Sequence, residues 1–292
     1  MFDTGRIFEA HSVEEAIELL TANPEAKLIC GGTDVLIKIR EGELAGRDLV
    51  SIHGLPEITG VTMDEEGTIA IGAATTFSKV IQDPIVKAHL PFLAQALETV
   101  GGPQIRNMGT IGGNVCNGAT SADSASTLFA LNAQLKIRNR QGIRVVPIRE
   151  FYLGPGKVAL EHDDVMTHIL ITRENYEGFG GCYIKYAMRK AMDIATLGCA
   201  VLCKVKDKKI VEDVRLAFGV AAPTPIRVPA AEEVAKGKPF SEELVEQFGK
   251  AALQGVNPRS SWRASREFRL QLVEELSKRA FRQAFSNAGG EY

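Results

Sequence analysis

The spacing of apolar residues changes along the chain, and each change predicts a different element. In residues 11–24, "HSVEEAIELLTANP", apolar side chains recur at helical spacing, and Ser12 with Glu15 forms a capping box. The apolar stretch at residues 26–30 predicts a short strand that runs into a glycine pair. Residues 67–84 predict a strand followed by a helix that ends before Pro84.

The middle of the chain alternates between helical and strand patterns. Residues 89–100 and 124–135 have helical periodicity. Residues 134–148 alternate apolar and polar side chains on both sides of an Asn-Arg-Gln-Gly turn, which predicts a β-hairpin. Residues 180–220 again follow a strand pattern, interrupted by a polar loop at residues 189–193.

The last part of the chain changes to amphipathic helix. Two helices are predicted, at residues 241–256 and 265–285, and the second ends before Gly289. The pattern as a whole indicates an α+β fold without internal repeats. We expect a first domain at residues 1–176 and a smaller second domain at residues 177–292, built from antiparallel strands followed by helices.

The composition excludes several classes of partner. The 292 residues are 45% hydrophobic and 24% charged, with a formal net charge of −2. We therefore expect no nucleic acid as partner, because phosphate binding needs a clear basic excess. No apolar run approaches the roughly 20 residues that cross a bilayer, and the first residues lack a signal-peptide pattern. We expect a cytoplasmic protein without a membrane partner.

The cysteines and histidines do not form a metal-binding pattern. The chain has five of each, mostly scattered, and only Cys199 and Cys203 lie close together. No C-x₂-C pair suggests zinc or an iron–sulfur cluster. An odd number of separated cysteines fits reduced thiols that pack as small apolar side chains. We predict no metal site in this chain.

Glycines cluster in residues 101–123, "GGPQIRNMGTIGGNVCNGATSAD". Because glycine loses more backbone entropy on folding than other residues, such a cluster needs a physical reason. Tight turns between short strands are one reason. The other is a backbone that approaches an anion closely and turns its N–H groups toward it.

Two glycine segments share this character, the first at residues 31–34 and the second at residues 110–114. Two concave nests of N–H groups from distant parts of the chain can hold a pyrophosphate between them without a lysine. Neither segment is a P-loop, since no Gly-Lys-Ser/Thr follows, and neither has the G-x-G-x-x-G of a dinucleotide-binding Rossmann unit. An ordinary turn remains the alternative for either segment alone.

Three segments closely resemble one protein family. "AKLICGGTD", "GGPQIRNMGTIGGNVCNGATSAD" and "AFGVAAPTPIR" are similar to the FAD-binding (medium) subunits of the molybdenum hydroxylases, most of all to those of bacterial xanthine dehydrogenases. The resemblance covers essentially the whole chain, including "SSWRASREFR" near its end. It implies a PCMH-type (vanillyl-alcohol-oxidase-like) FAD-binding domain, followed by a C-terminal α+β domain of the CO dehydrogenase flavoprotein type.

The resemblance also implies a site for non-covalent FAD. In the family, the two glycine segments clasp the pyrophosphate and ribityl part of the cofactor. Asp123 matches an acid that contacts FAD, Met166 (or Val165, if the alignment slips by one) matches an apolar neighbour, and Lys185 matches a lysine near the isoalloxazine. The residues that match FAD-binding positions are Lys27, Leu28, Ile29, Cys30, Gly31, Gly32, Thr33, Asp34, Thr110, Ile111, Gly112, Gly113, Asn114, Asp123, Met166 and Lys185.

Two of these residues also have simpler interpretations. Asp123 can cap the helix predicted after it, and a lysine in an alternating strand, such as Lys185, is by default solvated. If Lys185 faces the ring, its charge stabilises a reduced, anionic flavin. The polar loop that follows, with Arg189 and Asp193, aligns with a family segment that covers the flavin.

The function implied by the resemblance is electron transfer. A molybdenum cofactor on a large partner subunit hydroxylates the substrate, and [2Fe–2S] clusters on a small subunit carry the electrons to FAD. NAD⁺ is the expected acceptor, xanthine the expected substrate, purine catabolism or salvage the expected role, and a dimer of heterotrimers the expected assembly. Three alternatives stay open. The first is the FAD subunit of a related hydroxylase that acts on CO, on an aldehyde or on another N-heterocycle. The second is a stand-alone flavin reductase of the same fold, and the third is an assembly subunit that has lost its flavin.

The segment around Trp262, the only tryptophan, is rich in arginine. It carries Arg259, Arg263, Arg266 and Arg269. Basic residues at such spacing usually form a solvated helical face, and beside an exposed tryptophan they can anchor a partner. Internal packing of Trp262 is the preferred interpretation.

Overall fold

Runs of helices and runs of strands follow one another along residues 3–291, the part of the chain that this computed structural model describes. The helices are α1 (Val13–Ala22), α2 (Val35–Arg40), α3 (Phe77–Gln82), α4 (Pro84–His89), α5 (Pro91–Glu98), α6 (Pro103–Met108), α7 (Ile111–Cys116), α8 (Asp123–Ala130), α9 (Ile148–Phe151), α10 (Pro229–Ala235), α11 (Glu242–Ala252) and α12 (Arg266–Asn287). The strands are β1 (Ile7–Glu9), β2 (Lys27–Ile29), β3 (Leu49–Ser51), β4 (Val61–Met63), β5 (Ile69–Gly72), β6 (Gln134–Asn139), β7 (Gly142–Pro147), β8 (Tyr152–Gly154), β9 (Lys157–Val158), β10 (Val165–Ile171), β11 (Phe179–Tyr186), β12 (Leu197–Lys206), β13 (Ile210–Gly219) and β14 (Ile226–Arg227). The outermost residues of the two predicted domains, 1–2 and 292, lie outside the described range, and the boundary at 176/177 stays a prediction.

The N-terminal unit is a parallel sheet with strand order β1-β3-β2. Helix α1 buries the apolar stripe that its periodicity predicts, in a small core with residues of β3. The Ser12 hydroxyl accepts a hydrogen bond from the Glu15 amide at 3.0 Å, which confirms the predicted N-cap. Strand β2 ends at Ile29, so the chain leaves the sheet directly into the first glycine segment, and α2 follows.

The second unit is an antiparallel sheet with strand order β4-β5-β10-β6-β7. Strands β6 and β7 pair from Gln134–Pro147 to Asn139–Gly142, which confirms the predicted hairpin. Helices α5 and α8 contribute to the main core together with apolar residues of β5, β6 and β10. Every residue of α8 is buried, so its first residue, Asp123, lies inside the protein.

The C-terminal unit is a second antiparallel sheet, in the order β11-β12-β13-β14. Helices α11 and α12 bury their apolar faces in one core with this sheet, which confirms the predicted sequence of strands followed by helices. Helix α12 ends at Asn287, and Gly289 follows with a φ of +82°. None of the helices within the described residues combines the length and the apolar character needed to span a membrane.

A buried polar network joins the C-terminal unit to the second unit. Arg215 on β13 is 9% exposed and donates to the side-chain oxygen of Asn175 at 2.9 Å. Arg227 on β14 donates to the side-chain oxygen of Asn132 at 2.8 Å. Hydrogen bonds that involve a charged group typically contribute about 1.5–3 kcal/mol each, so both favour the joined arrangement of the two units. The network therefore holds the two units in one orientation.

One of the two interpretations of the glycine-rich segment, tight turns between short strands, is wrong. Residues 103–116 are not a series of turns between strands, because they form α6 and α7. Pro103 begins α6 and Thr110 caps α7, and both are helix-start signals that the many glycines obscure. Helix α2 is likewise absent from the predicted elements, because its 6 residues are too few for a helical period to show.

Candidate functional site

The first glycine segment lies directly against Met108 and Gly109, the two residues that precede the second segment. A Cβ atom on Gly31 would lie 1.9 Å from the carbonyl oxygen of Met108, so only glycine permits this approach. Burial raises the pKa of the Cys30 thiol, and the nearby Thr110 side chain opposes this rise. The structure therefore brings together two segments that the sequence separates widely.

The first glycine segment has free backbone donors. Among the described residues, the amides of Gly32, Thr33, Asp34 and Val35 donate to no protein acceptor. Gly32 has a φ of +72°, and the Asp34 side chain precedes α2 without capping it. Free amides around a left-handed glycine form a donor set that suits an anion. This segment fits the predicted nest for a pyrophosphate.

The second glycine segment is not the mixed-handed nest that the sequence predicts. Gly112 and Gly113 lie in the first turn of α7, and neither has a positive φ. The amides of Ile111 and Gly112 donate to carbonyl oxygens of residues 73–75 at 3.0 Å, and the Gly113 amide donates to the Thr110 hydroxyl at 3.1 Å. These amides already have partners within the protein. The predicted contribution of this segment's backbone donors is therefore wrong for this arrangement.

The two helical glycines have different surroundings. Gly112 is buried, and a Cβ there would lie 2.6 Å from the carbonyl oxygen of Ala73. Gly113 is exposed, and a Cβ there would meet only the Thr110 hydroxyl within 4 Å. Gly112 thus allows α7 to pack on the sheet. Gly113 leaves open space above α7.

Asp123, Lys185 and Tyr183 form a buried hydrogen-bonded network. Lys185 Nζ donates to Asp123 Oδ2 at 2.8 Å and to the carbonyl oxygen of Thr99 at 2.9 Å. The Tyr183 hydroxyl donates to Asp123 Oδ1 at 2.7 Å. The side chains of Lys185 and Asp123 are only 10% and 8% exposed, so the interpretation of Lys185 as a solvated residue is wrong. The capping interpretation of Asp123 is also wrong, because Ala122 is the N-cap of α8.

Burial dominates the electrostatics of this network. Burial raises the pKa of Asp123, although the charge of Lys185 and hydrogen bonds from Lys185 and Tyr183 act in the opposite direction. Burial and the nearby charge of Asp123 raise the pKa of Tyr183 well above its usual range. Tyr183 is therefore a neutral donor. Lys185 has three N–H groups, of which Asp123 and Thr99 use two.

Helix α7 connects this network to the second glycine segment. Asn114 Oδ1 accepts a hydrogen bond from the Ser124 hydroxyl at 2.7 Å, one residue from Asp123. Met166 is 3% exposed, and its sulfur lies 3.9 Å from the sulfur of Cys116 at the end of α7. Met166 is thus a core residue packed against α7, while Val165 belongs to the N-terminal core. The contacts of these residues with FAD stay predictions.

The predicted polar loop, residues 189–193, lies within the longer connection between β11 and β12, residues 187–196, which is called the polar loop from here on and lies next to the network. The Arg189 amide donates to Asp193 at 2.8 Å, and its guanidinium donates to the Met192 carbonyl at 2.7 Å. A Cβ on Gly102 would lie 3.4 Å from Met192 Cγ, so the loop reaches the start of α6. Arg189 and Asp193 thus stabilise the loop itself.

Sequence reasoning misses Tyr183 and Thr99. Tyr183 follows the ordinary alternation of β11, and Thr99 contributes only a backbone carbonyl, which no side-chain pattern reveals. The one available signal is Gly198, which lies opposite Lys185 in the sheet. A Cβ on Gly198 would lie 3.0 Å from the Tyr183 hydroxyl, so the glycine makes room for it.

Comparison with known protein families decides what kind of protein carries this site. Residues 2–173 match the family described as the FAD binding domain in molybdopterin dehydrogenase, and residues 182–284 match the CO dehydrogenase flavoprotein C-terminal domain. The chain belongs to the FAD-binding medium subunits of the molybdenum hydroxylase family. The predicted fold, with its FAD-binding domain and C-terminal α+β domain, is confirmed by the same matches.

Individual relatives cover the whole chain. The xanthine dehydrogenase FAD-binding subunit of Escherichia coli O157:H7 is 47% identical over 291 residues, which are 100% of this chain and 99% of the relative. The carbon monoxide dehydrogenase medium chain of Hydrogenophaga pseudoflava is 34% identical, over 96% of this chain and 97% of the relative. A solved structure of carbon monoxide dehydrogenase from that organism superposes with a TM-score of 0.93 at 31% identity, covering 98% of this chain and 99% of the matched chain.

Within residues 3–291, no three His, Cys, Asp or Glu side chains are grouped so that they could hold a metal ion.

The first prediction concerns the Tyr183 hydroxyl. Tyr183→Phe removes a buried hydrogen bond to a carboxylate, so we expect the free energy of unfolding to fall by about 1.5–3 kcal/mol. The measurement is urea unfolding of the wild type and the variant. Tyr152→Phe is the matched control, because its buried hydroxyl has no hydrogen-bond partner among the described residues, and we expect it to be neutral or stabilising. Equal stabilities of Tyr183→Phe and Tyr152→Phe would contradict the network.

Proposed function

We propose that this chain is the FAD-binding, electron-transferring subunit of a xanthine dehydrogenase-type hydroxylase, which passes electrons through FAD to NAD⁺. The observation that carries this proposal is the 47% identity, over the full length, to a xanthine dehydrogenase FAD-binding subunit, against 34% for a carbon monoxide dehydrogenase medium chain. A cytoplasmic location and a role in purine catabolism or salvage belong to the same proposal.

The proposal assigns the metal chemistry to partner subunits. The molybdenum cofactor belongs to a large subunit and the [2Fe–2S] clusters to a small one, in a dimer of heterotrimers. The relatives' names support an assembly of several subunits, since they describe a FAD-binding subunit and a medium chain. The five thiols of this chain are all free and do not pair with one another.

The first glycine segment fits the pyrophosphate of FAD. Its free amides, at Gly32 to Val35, would donate to the phosphate oxygens, and charge-assisted hydrogen bonds of this kind contribute about 1.5–3 kcal/mol each. The open surface at Gly113 would leave room for the cofactor above α7. FAD, when bound, supplies the capacity to accept electrons and to release them as a hydride.

The buried ion pair suits a position next to the isoalloxazine. Lys185 would place a positive charge there, and Asp123 would hold that charge in place through a bond of 2.8 Å. Tyr183 fixes the carboxylate from its other oxygen at 2.7 Å. Because the site is buried, these charges are weakly screened and influence the charge state of a neighbouring group more than surface charges do.

The alternatives are weaker on specific grounds. A stand-alone flavin reductase has no evident need for residues 182–284, which match the C-terminal domain of CO dehydrogenase flavoproteins. An assembly subunit without flavin has no need for free amides in the first glycine segment. Relatives such as a nicotine 6-hydroxylase medium subunit, at 32% identity, keep a related hydroxylase as the second candidate.

The second prediction tests the function directly. We expect the chain expressed alone to bind FAD stoichiometrically and non-covalently, and to be inert toward xanthine. Acid precipitation should release the flavin into the supernatant, since the contacts proposed here are hydrogen bonds from the backbone amides of the first glycine segment. Co-expression with the large and small subunits should give NAD⁺-dependent xanthine oxidation. Colour in the acid pellet would contradict non-covalent binding, and an assembled complex that uses only ferredoxin or oxygen would contradict NAD⁺ as acceptor.

The third prediction separates ligand contact from packing at the two helical glycines. Gly113→Leu should leave the apoprotein folded. Replacing glycine increases helix propensity by about 1 kcal/mol, and this gain offsets a loss of about 1 kcal/mol from the hydrogen bond of the Thr110 cap, which the new Cβ would disturb. Its side chain would occupy the open space above α7, so FAD affinity should fall about tenfold or more in a fluorescence titration.

Two further variants serve as controls for this prediction. Gly112→Ala should destabilise the apoprotein by about 1–3 kcal/mol, because its Cβ meets the backbone of Ala73. Gly154→Leu, where a Cβ meets nothing within 4 Å, should change neither stability nor FAD binding. Wild-type FAD affinity in Gly113→Leu would mean that the surface above α7 does not bind the cofactor.

The fourth prediction concerns the charge of the buried pair. Lys185→Met should lower the reduction potential of the bound flavin, because it removes a cation that favours the reduced, anionic form. Asp123→Asn should raise the potential, because it removes the opposing charge at nearly constant shape. Redox titration of the two variants and the wild type is the measurement. Shifts of the same sign, or three identical midpoint potentials, would show that the pair does not lie near the ring.

A further inference from the structure

A tight turn in front of α12 presents Trp262 to solvent. Ser261 and Ala264 form a β-bridge that closes the turn, with Trp262 and Arg263 between them. The Trp262 side chain is 76% exposed, the highest value among the large hydrophobic residues of the described chain. The Arg263 guanidinium lies over the indole, 4.2 Å from its centroid. Internal packing, the preferred interpretation from sequence, is therefore wrong for Trp262.

Arginines stabilise this turn without an acidic counterpart. Arg269 is 2% exposed and donates to the Arg259 carbonyl at 2.7 Å and the Ser261 hydroxyl at 2.8 Å. The Nε atoms of Arg263 and Arg269 are buried without a hydrogen-bond partner. None of the ion pairs within residues 3–291 includes Arg259, Arg263 or Arg269.

These arginines also lie close enough to repel one another. Burial lowers the pKa of Arg269, and the charges of Arg259 and Arg263 lower it further. Three neighbouring positive charges without a carboxylate are unfavourable in the isolated chain, and an acidic partner would relieve the repulsion. Arg269 itself is packed internally, so the charges that a partner can reach belong to Arg259 and Arg263.

Exposed apolar side chains continue from this turn toward the proposed flavin site. Phe268, in the first turn of α12, packs edge-on against Tyr186 with ring centroids 5.7 Å apart, and each is 38% exposed. Tyr186 leads into the polar loop, where Met188 and Met192 are 62% and 63% exposed. Met192 in turn lies against Gly102 at the start of α6. The surface thus reaches the edge of the site that contains Lys185.

We propose that this surface docks an acidic segment of the [2Fe–2S] subunit. Exposed tryptophan, tyrosine and arginine are the residues that dominate binding energy at protein interfaces, and an apolar surface of this kind marks an interaction site. The arginines without acidic partners favour a partner surface that is acidic. Because the surface lies at the edge of the proposed flavin site, the partner that fits it is the subunit that delivers electrons to the flavin. The inference rests on the proposed function, since it requires that subunit. The docking surface consists of Tyr186, Met188, Met192, Arg259, Trp262, Arg263 and Phe268.

The fifth prediction is tested in the co-expressed complex of all three subunits. The variants are Trp262→Ala alone and Trp262→Ala combined with Arg263→Glu. We expect the affinity for the [2Fe–2S] subunit to fall about tenfold or more in the single variant, and further in the double variant, as measured by titration and native mass spectrometry. The FAD content and the thermal midpoint of the chain should remain those of the wild type. The dependence of assembly on salt should be weaker in the double variant.

Lys206→Glu is the matched control, because Lys206 is exposed and lies at the opposite end of β12 from the polar loop. It reverses a surface charge without touching the docking surface, so assembly should be normal. Wild-type affinity in both Trp262 variants would overturn the docking surface and leave the proposed function intact. Loss of the large subunit alone would overturn the choice of partner. Failure of the wild-type chain to assemble at all would overturn the proposed function, and this inference with it.

Discussion

The approach of Gly31 to the carbonyl oxygen of Met108 is the constraint on which the rest of the site depends. This contact joins the end of β2 in the parallel sheet to the end of α6 in the second unit. Any side chain at residue 31 would have to displace backbone atoms, because its Cβ would lie 1.9 Å from that oxygen. Such a displacement would move the free amides of the first segment away from the end of α6. The proposed site therefore depends on the absence of a side chain at residue 31.

The glycines of the second segment serve the same site by a different physical route. Since α7 starts with a Thr110 cap and its first amides bond within the protein, its glycines do not supply donors. Gly112 lets the helix pack on the sheet, and Gly113 leaves space above it. One segment thus provides hydrogen-bond donors and the other provides room. In the proposed site, this division would allow an anion to bind without the lysine of a P-loop.

Strongly periodic parts of the fold could be predicted from the sequence, whereas short elements and long-range pairs could not. The α1 stripe, the β6–β7 hairpin and the two C-terminal amphipathic helices follow from local patterns, and the structure confirms them. Helices α6 and α7, with 6 residues each, show too little of a period among glycines and prolines. Lys185 meets Asp123 across 62 residues of sequence, so its burial depends on tertiary packing that no local pattern records. Family resemblance is what proposes the site residues, and the hydrogen-bond partners that Lys185 and Asp123 have in the structure did not follow from it.

The polar loop at residues 187–196 lies between the proposed flavin site and the proposed docking surface. On one side the loop follows Lys185, whose ammonium is buried in an ion pair with Asp123. Because this pair is neutral overall, its effect on a neighbouring ring depends on which of the two charges lies closer to the ring. On the other side the loop presents Met188 and Met192 to solvent, next to the aromatic pair of Tyr186 and Phe268. A partner that covers this loop would exclude water from the surroundings of the ion pair. Lower screening strengthens the field of a fixed pair, so under the two proposals docking would shift the flavin potential, even though no docking residue belongs to the network itself.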